Sequence, residues 1–218
     1  MITDYYLEAC CENSSDAQTA QEHGASRIEL CENLSCEGLT PSEDNILETL
    51  QSVSIPVNVL IRLREGNFVY NEEEVAEMCL SIGKIRDLSV TADDGTLRKV
   101  NAFVIGALTE EGDIDTPAVR RMLQAAEGMP VTFHRAFDVC AEPLKAYRQL
   151  RSLGFSRILT SGHAPTAMQG RELLSELVAL SGKGAPAILV GGNVRPDNID
   201  ILARDTQAVE FHSSFLNW

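Results

Sequence analysis

The sequence predicts an α/β fold, a TIM-type (β/α)8 barrel without a full eighth helix. Eight short apolar segments alternate with seven longer helix-type segments along the chain. The 218 residues suit a single barrel domain spanning 1–218, and no linker or change of composition divides them. An open doubly wound sheet would show the same alternation, but eight regular repeats in this length fit a closed barrel better.

The strand candidates are short apolar runs bounded by turn residues. They occupy 6–12, 27–32, 56–63, 102–108, 130–137, 157–161, 187–191 and 208–213. The helix-type segments lie between them, at 14–24, 42–53, 71–90, 116–128, 142–154, 168–180 and 195–205. Several of these segments begin with Ser, Asp or Asn and several end at Gly, as capped helices do.

Two parts of the chain depart from this alternation. The polar stretch 91–102 is expected to form a long loop before the fourth strand. Only FLNW (215–218) follows the last strand, so we expect one flank of the barrel to lack a helix of its own. Either Trp218 and its neighbours or a second subunit would cover this flank.

Charge and hydropathy disfavour two classes of partner. The formal net charge is −14, and such a surface repels the phosphates of nucleic acids and anionic lipids. No apolar run reaches the roughly 18 residues that a membrane helix needs. The N-terminal residues lack a basic region followed by an apolar core, so we expect a cytoplasmic protein. In that compartment the six cysteines are expected to be free thiols.

Three strand candidates carry an acid followed two residues later by Cys or His, as in RIELCEN (27–33) and LEACCEN (7–13). Side chains alternate along a strand, so the apolar neighbours face the helices while these residues point into the barrel. Closure makes the first, second and last strands consecutive. We therefore expect one side of the interior to hold these pairs: Glu8 and Cys10, Glu29 and Cys31, and Glu210 and His212.

A metal site is one reading of this group. Two thiols at matching heights on neighbouring strands would lie close together, and thiolates are soft ligands that suit Cu(I) or Zn(II). Two sulfurs alone favour Cu(I) because zinc usually takes four ligands. Cys10 and Cys31 are the candidate ligands, and His212 or Cys11 could supply a third. The alternative is that the cysteines are small core residues, which is the commoner role of a buried Cys.

An anion site is the second reading. Arg62 and Arg64 end the third strand, and Gly191, Gly192 and Ser213 lie where barrels bind phosphate, after the last two strands. Further donors are expected from Arg195, Thr160, Ser161 and Gly162. With His134 and Glu210 as acid–base groups, the barrel would be an isomerase-, lyase- or hydrolase-like enzyme acting on a small phosphorylated or carboxylated metabolite, without an organic cofactor.

A structural role for the acids is also open. Arginines that face acids across a barrel neutralise charges that are costly to bury. Glu8, Glu29 and Glu210 would then form a fixed ion network with Arg62.

Seven segments carry a family resemblance: RIELCENLSCEGLTPS (27–42), IRLREGNFVY (61–70), IGALTEEGDID (105–115), PVTFHRAFDVC (130–140), LGFSRILTSG (153–162), LVGGNVRPDNI (189–199) and EFHSS (210–214). In this order they resemble the CutC family, described as copper homeostasis proteins with a barrel fold. The resemblance implies a cytoplasmic Cu(I)-associated protein, commonly a dimer. Its copper ligands would be two cysteines at the ends of the first two strands, which match Cys10 and Cys31 here.

Two segments depart from the family pattern. The family usually has RPRGGD where this chain has RLREGN (62–67). It has two glycines before the LTPS segment where this chain has CEG (36–38). The second change adds Cys36, a further thiol that could reach the same rim.

Overall fold

Eight parallel strands close into a barrel, which confirms the predicted fold class. The computed structural model describes residues 5–218. The barrel strands are β1 (Tyr6–Cys11), β2 (Arg27–Leu30), β3 (Val57–Leu60), β6 (Ala102–Ile105), β7 (Val131–Phe133), β8 (Arg157–Thr160), β9 (Ala187–Val190) and β10 (Glu210–Ser213). They follow one another around the barrel in chain order, and β10 pairs with β1 to close it.

Seven α-helices surround the strands and cover their apolar outer faces. They are α1 (Ser14–Glu22), α2 (Glu43–Ser52), α3 (Glu72–Asp87), α4 (Thr116–Ala125), α5 (Pro143–Leu153), α6 (Arg171–Leu180) and α7 (Ile199–Thr206). The first four begin at side chains that accept a backbone N–H of the first turn, from Asn13, Ser42, Asn71 and Asp115. In the described part of the chain, no helix has the length and apolar character that crossing a membrane requires.

The stretch 91–102 is not the long loop that its polarity predicts. Most of it belongs to an antiparallel hairpin of β4 (Ser89–Thr91) and β5 (Leu97–Lys99), which lies outside the barrel. Arg98 explains the polarity, because its guanidinium donates to the carbonyl of Val53 just after α2 and to the carboxylate of Asp94. The charged residues therefore bind the hairpin to the end of a helix.

The flank without an eighth helix is partly covered by the last residues. Residues 214–218 form no helix, as predicted. Leu216 and Trp218 pack against the hydrophobic core, and the rings of Phe215 and Trp218 meet edge to face with centroids 5.9 Å apart. Tyr6 and Val209 nearby remain 57% and 54% exposed.

The lower half of the barrel interior holds an ion network instead of apolar layers. Arg27 donates from Nε to Glu8 at 2.5 Å and from Nη2 to Glu210 at 3.0 Å. Arg157 donates to the same Glu210 oxygen at 2.6 Å, and Asn58 donates to Glu8 at 3.1 Å. Because Arg27 and Glu8 are buried, each charge depends on its partners for stabilisation.

The sequence correctly predicted an ion network around the buried acids but named the wrong arginine. Arg62 does not pair with these acids, because it follows β3 and lies at the upper end of the barrel. Arg27 and Arg157 are the first residues of β2 and β8, so they reach Glu8 and Glu210 in the lower half.

Replacing Arg27 tests how much this network contributes to the stability of the fold. Arg27→Met would leave the buried carboxylate of Glu8 without its main counter-charge, and we expect a loss of about 3–5 kcal/mol in the free energy of unfolding. The control is Arg121→Met, which removes an exposed ion pair to Glu72 and should cost about 0–1 kcal/mol. Urea denaturation followed by circular dichroism measures both. Equal small losses would contradict a supporting role for the network.

Candidate functional site

A cavity of about 280 Å³ opens at the C-terminal ends of the strands, where barrel enzymes and binding proteins place their sites. Side chains from the barrel form its floor and sides, namely Cys10, Glu29, Leu60, Arg62, His134, Leu159, His212 and Ser213. Loop residues form the rim, namely Leu34, Glu37, Phe68, Arg135, Gly192, Asn193, Arg195 and Ser214. The cavity therefore collects thiol, carboxyl, imidazole and guanidinium groups.

The thiol of Cys10 lines this cavity, and the thiol of Cys31 packs directly beside it without lining the cavity. The Sγ atoms of Cys10 and Cys31 lie 3.6 Å apart, and both residues are buried. The sequence suggested that the two thiols lie at the same height in the barrel. They do not, because the strand register places Cys10 beside Glu29 and leaves Cys31 one inward position higher. Contact with the Cys31 thiol, burial and the nearby Glu29 charge raise the pKa of Cys10 well above its usual range.

Cys10 also belongs to a cluster that could hold a metal ion. Each of three residues, Cys10, Glu29 and His212, offers one possible ligand atom, and these three atoms lie within 4.8 Å of one another. The Nδ1 atom of His212 is 2.8 Å from Oε1 of Glu8. In the neutral ring, donation of the Nδ1 proton to Glu8 leaves the lone pair of Nε2 free. A carboxylate behind a histidine is the arrangement that orients imidazole ligands of metals.

The two acids next to His212, Glu8 and Glu29, differ in how readily they ionise. Burial opposes ionisation of Glu8, but the hydrogen bond from His212 and the charge of Arg27 outweigh it and lower its pKa to about 2. Burial, together with the Glu8 charge, raises the pKa of Glu29 to about 7. Burial disfavours protonated His212, but the Glu29 charge and the bond to Glu8 raise its pKa. Glu8 is therefore the fixed anion, and Glu29 exchanges its proton near neutral pH.

Two thiols named as possible additional ligands lie outside this cluster. Cys11 faces the helices, fully buried in the outer hydrophobic core, because it is one residue out of phase with Cys10. The Cys36 thiol lies in a 3-10 turn (Leu34–Cys36) after β2 and donates to the carbonyl of Asn33 at 3.1 Å. His212 is thus the only one of the three expected assistants that the fold brings to Cys10.

The expected acid–base pair is separated. His134 lines the cavity, but burial and the charge of Arg62 lower its pKa to about 3, so the ring is neutral. Its Nδ1 accepts the N–H of Ala136 at 3.1 Å, which leaves the proton on Nε2 and makes the ring a donor. Glu210 lies in the lower ion network with Arg27 and Arg157 and does not line the cavity.

The two arginines expected to bind anions have different positions. Arg62 is buried in the cavity wall, and its terminal nitrogens donate to carbonyls of Cys36, Gly38 and Gly66. Arg64 points away from the cavity to Glu74, at 2.5 Å, because side chains two residues apart diverge once the strand has ended. Only Arg62 therefore remains a candidate for the site.

The glycine turn after β9 contributes less than expected. The N–H of Gly191 donates to the carbonyl of Thr160 in the strand ladder, so it cannot bind a ligand. Gly192 and Ser213 line the cavity, but the Ser213 hydroxyl donates to the carbonyl of Val194 at 2.7 Å and accepts from Arg195. The hydroxyl is thus used within the fold.

A carboxylate of the protein itself accepts hydrogen bonds from the donors that follow β8. Asp138 lies in a 3-10 turn (Arg135–Val139) after β7 and accepts hydrogen bonds from the Thr160 hydroxyl and the Ser161 N–H. Gly162 donates to the Thr160 hydroxyl. These groups, which the sequence suggested for an external anion, are therefore satisfied within the protein, by Asp138 and by the Thr160 hydroxyl.

Sequence reasoning missed three residues that determine the site. Arg27 and Arg157 could have been found by extending the inward alternation two residues back from Glu29 and Leu159. Phe68 carries no such signal, because it lies in a loop. Its ring packs on both Arg62 and His134, with the Cζ of Arg62 at 5.1 Å and the His134 ring centroid at 4.9 Å.

The pH dependence of stability tests the state of Glu29. Its pKa is raised from 4.5 to about 7, so protonated Glu29 stabilises the fold fully below pH 4.5 and this contribution is lost as the pH rises through about 7. We expect wild type to lose up to about 3 kcal/mol relative to Glu29→Gln over this interval. Urea titrations at several pH values measure the difference. The exposed rim variant Glu37→Gln should follow wild type, and a constant gap for Glu29→Gln would contradict the raised pKa.

Known proteins with similar sequences cover almost the whole chain. The CutC family model matches residues 5–217. A CutC family protein of Porphyromonas gingivalis is 40% identical over 208 residues, 95% of this chain and 79% of the relative. One from Enterobacter sp. (strain 638) is 42% identical over 212 residues, 97% of this chain and 81% of the relative.

Solved structures agree with this relationship. The crystal structure of the copper homeostasis protein CutC from Streptococcus agalactiae matches with a TM-score of 0.85 and 34% identity, over 97% of this chain and 99% of that one. Phosphonopyruvate hydrolase, at a TM-score of 0.63 and 14% identity over 95% of this chain and 75% of that one, shares the fold alone. Sequence, fold and the order of the motifs together establish that the chain belongs to the CutC family.

Proposed function

We propose that the cavity binds Cu(I) through the thiolates of Cys10 and Cys31. The observation that carries this proposal is the pair of buried sulfurs 3.6 Å apart, of which Cys10 lines the cavity and Cys31 packs beside it. A metal–sulfur distance of about 2.3 Å with a tetrahedral angle separates two bound sulfurs by roughly 3.8 Å. The pair is therefore spaced to chelate one ion with a bent sulfur–metal–sulfur angle.

His212 is the proposed third ligand. A bent pair of thiolates leaves room for another donor, and the imidazole lies in the same cluster as Cys10. Its bond to Glu8 would fix the ring and leave Nε2 for the ion. Glu29, the other member of the cluster, has a harder oxygen ligand that Cu(I) does not prefer, so it would act by exchanging a proton as the thiols ionise.

The raised pKa of Cys10 bears on selectivity. A metal must displace the thiol proton before it binds, and this requirement disfavours ions with weak affinity for sulfur. The Streptococcus agalactiae relative is described as a copper homeostasis protein, which supports the same ion here. We expect the protein to act in copper homeostasis in the cytoplasm, with copper as its cargo.

A homodimer is part of this proposal. Tyr6 begins β1 and Val209 directly precedes β10, and both remain exposed apolar residues that a second copy would cover. Analytical ultracentrifugation of wild type and Val209→Asp would test this: we expect a dimer for wild type and a monomer for the variant, whereas a wild-type monomer would contradict it.

An enzyme acting on a small anionic metabolite is the second candidate. The positive charge of Arg62 in the cavity wall is the observation that favours an anion there. Neither expected acid–base group is available, however, because His134 is a neutral donor and Glu210 is held by two arginines. Binding is therefore favoured over turnover.

Anaerobic Cu(I) titration against a competing chelator tests the copper proposal. We expect one Cu(I) per chain. Cys10→Ser and Cys31→Ser should each weaken binding by at least about 100-fold, because loss of a ligand should cost more than the 10–100-fold seen for its supporting partners. His212→Asn removes the proposed third ligand and should therefore also weaken binding by at least about 100-fold.

The matched control is Cys79→Ser, which removes a partly buried thiol on α3, away from the cavity. Its Cu(I) affinity should equal that of wild type. Unchanged stoichiometry and affinity in the Cys10→Ser/Cys31→Ser double variant would refute the proposal.

A further inference from the structure

The mouth of the cavity carries positive charges that the copper proposal does not use. Three arginines line the cavity, Arg62, Arg135 and Arg195, together with two glutamates, Glu29 and Glu37. The chain as a whole has a net charge of −14, so a local excess of arginine is contrary to its general surface. A local excess of one sign attracts ligands of the opposite sign, which favours an anion at this position.

The positive and negative groups lie on different sides of the mouth. Glu29 belongs to β2 and Glu37 follows that strand, whereas Arg135 follows β7 and Arg195 follows β9. In the closed barrel β2 lies opposite β8, which is the strand between β7 and β9. These two arginines therefore flank the part of the rim that is farthest from both acids.

Arg195 offers free donors on this side. Its Nη1 donates to the Val194 carbonyl at 2.7 Å and to the Ser213 hydroxyl at 3.2 Å, which holds the guanidinium in place. Its Nε and Nη2 have no acceptor among the described residues, and no carboxylate there neutralises its charge. Because the side chain is only half-buried and lines the cavity, these donors are accessible from it.

Backbone N–H groups add donors beside Arg195. The strand ladder ends at Gly191, whose N–H donates to the Thr160 carbonyl. The N–H of the next residue, Gly192, has no acceptor in the part of the chain that the structure describes, and neither has the N–H of Ser214 after β10. Both residues line the cavity and neither is buried, so these groups are open to a ligand. Unpaired backbone N–H groups in turns are a common means of binding anions.

Contacts around Gly192 bring the donors together. Gly192 has a φ of +96°, and a Cβ there would lie 2.7 Å from the Cβ of Ser161, so the turn packs directly on the loop after β8. The Ser161 hydroxyl accepts a bond from Nη2 of Arg135 at 3.0 Å. On the other side, Arg195 donates to the residue that precedes Ser214. One continuous patch, called here the arginine rim, thus consists of Arg135, Gly192, Arg195 and Ser214.

We propose that the arginine rim binds the phosphate group of a small phosphate monoester. The N–H of Gly192, the N–H of Ser214 and the guanidinium of Arg195 match the three terminal oxygens of a phosphate. The second arginine, Arg135, is partly neutralised by Asp138 but adds positive potential for a group that carries a charge of about −1.5 to −2. Loops after the last two strands of a barrel are a frequent place for phosphate.

The organic part of the ester would lie in the cavity beneath the rim. That space holds about 280 Å³, which admits only a small body, and its apolar wall consists of Leu60, Phe68 and Leu159. A carboxylate in place of the phosphate has two oxygens and one charge, so it would leave one donor unpaired. No group of the arginine rim is a proposed copper ligand, so this inference goes beyond the copper proposal and does not depend on it.

Calorimetric titration of the metal-free protein with glycerol 3-phosphate tests the proposal, with glycerate as the carboxylate analogue. Glycerol 3-phosphate should bind at least about tenfold more tightly than glycerate, the difference expected for one more hydrogen bond to a charged group. Inorganic phosphate should compete for the same site and bind more weakly than the ester, because it lacks the organic body. Arg195→Gln should weaken binding of the ester at least about tenfold.

Arg204→Gln is the matched control, because it removes the same charge from an exposed arginine on α7 that pairs with Asp205 outside the cavity. It should leave the affinity for glycerol 3-phosphate unchanged. In wild type, the amide resonances of Gly192 and Ser214 should shift on adding the ester, which tests the contacts without any substitution.

Four results would each overturn the proposal. They are no binding of glycerol 3-phosphate, binding of glycerate or inorganic phosphate as tight as that of the ester, an unchanged affinity in Arg195→Gln, and unshifted amides of Gly192 and Ser214. Since no metal is present in these measurements, the outcome is separate from that of the Cu(I) titration.

Discussion

The pairing of Arg27 with Glu8 is the interaction on which the rest of the interior depends. It allows Glu8 to remain ionised in a place where burial alone would neutralise it. Ionised Glu8 then holds Nδ1 of His212, and its charge adds to the burial that raises the pKa of Glu29 to about 7. A contact in the lower half of the barrel thus determines the imidazole orientation and the proton balance at the mouth.

This arrangement gives the cavity two faces with opposite chemistry. Sulfur and imidazole, which are soft or borderline ligands, lie on β1, β2 and β10, and the donors Arg62 and His134 follow β3 and β7. The first face suits a metal ion.

Alternation and closure, read from the sequence, explain why much of the fold and part of the site could be predicted. The period of two along each strand correctly pointed Cys10, Glu29 and His212 inward, and closure brought them together. The same rule would have found Arg27 and Arg157. It failed where contacts are made by loops or depend on register.

The failures have specific physical causes. The stagger of β1 against β2 is invisible in composition, so Cys10 and Cys31 were placed at one height. Asp138 satisfies donors that an external anion was expected to bind, and only the three-dimensional path of its turn reveals this.

Coordination of Cu(I) by sulfur is the central claim, and copper X-ray absorption of the Cu(I)-loaded protein tests it most directly. Two sulfur neighbours with one nitrogen or oxygen would agree with the account, whereas neighbours of nitrogen and oxygen alone would contradict it.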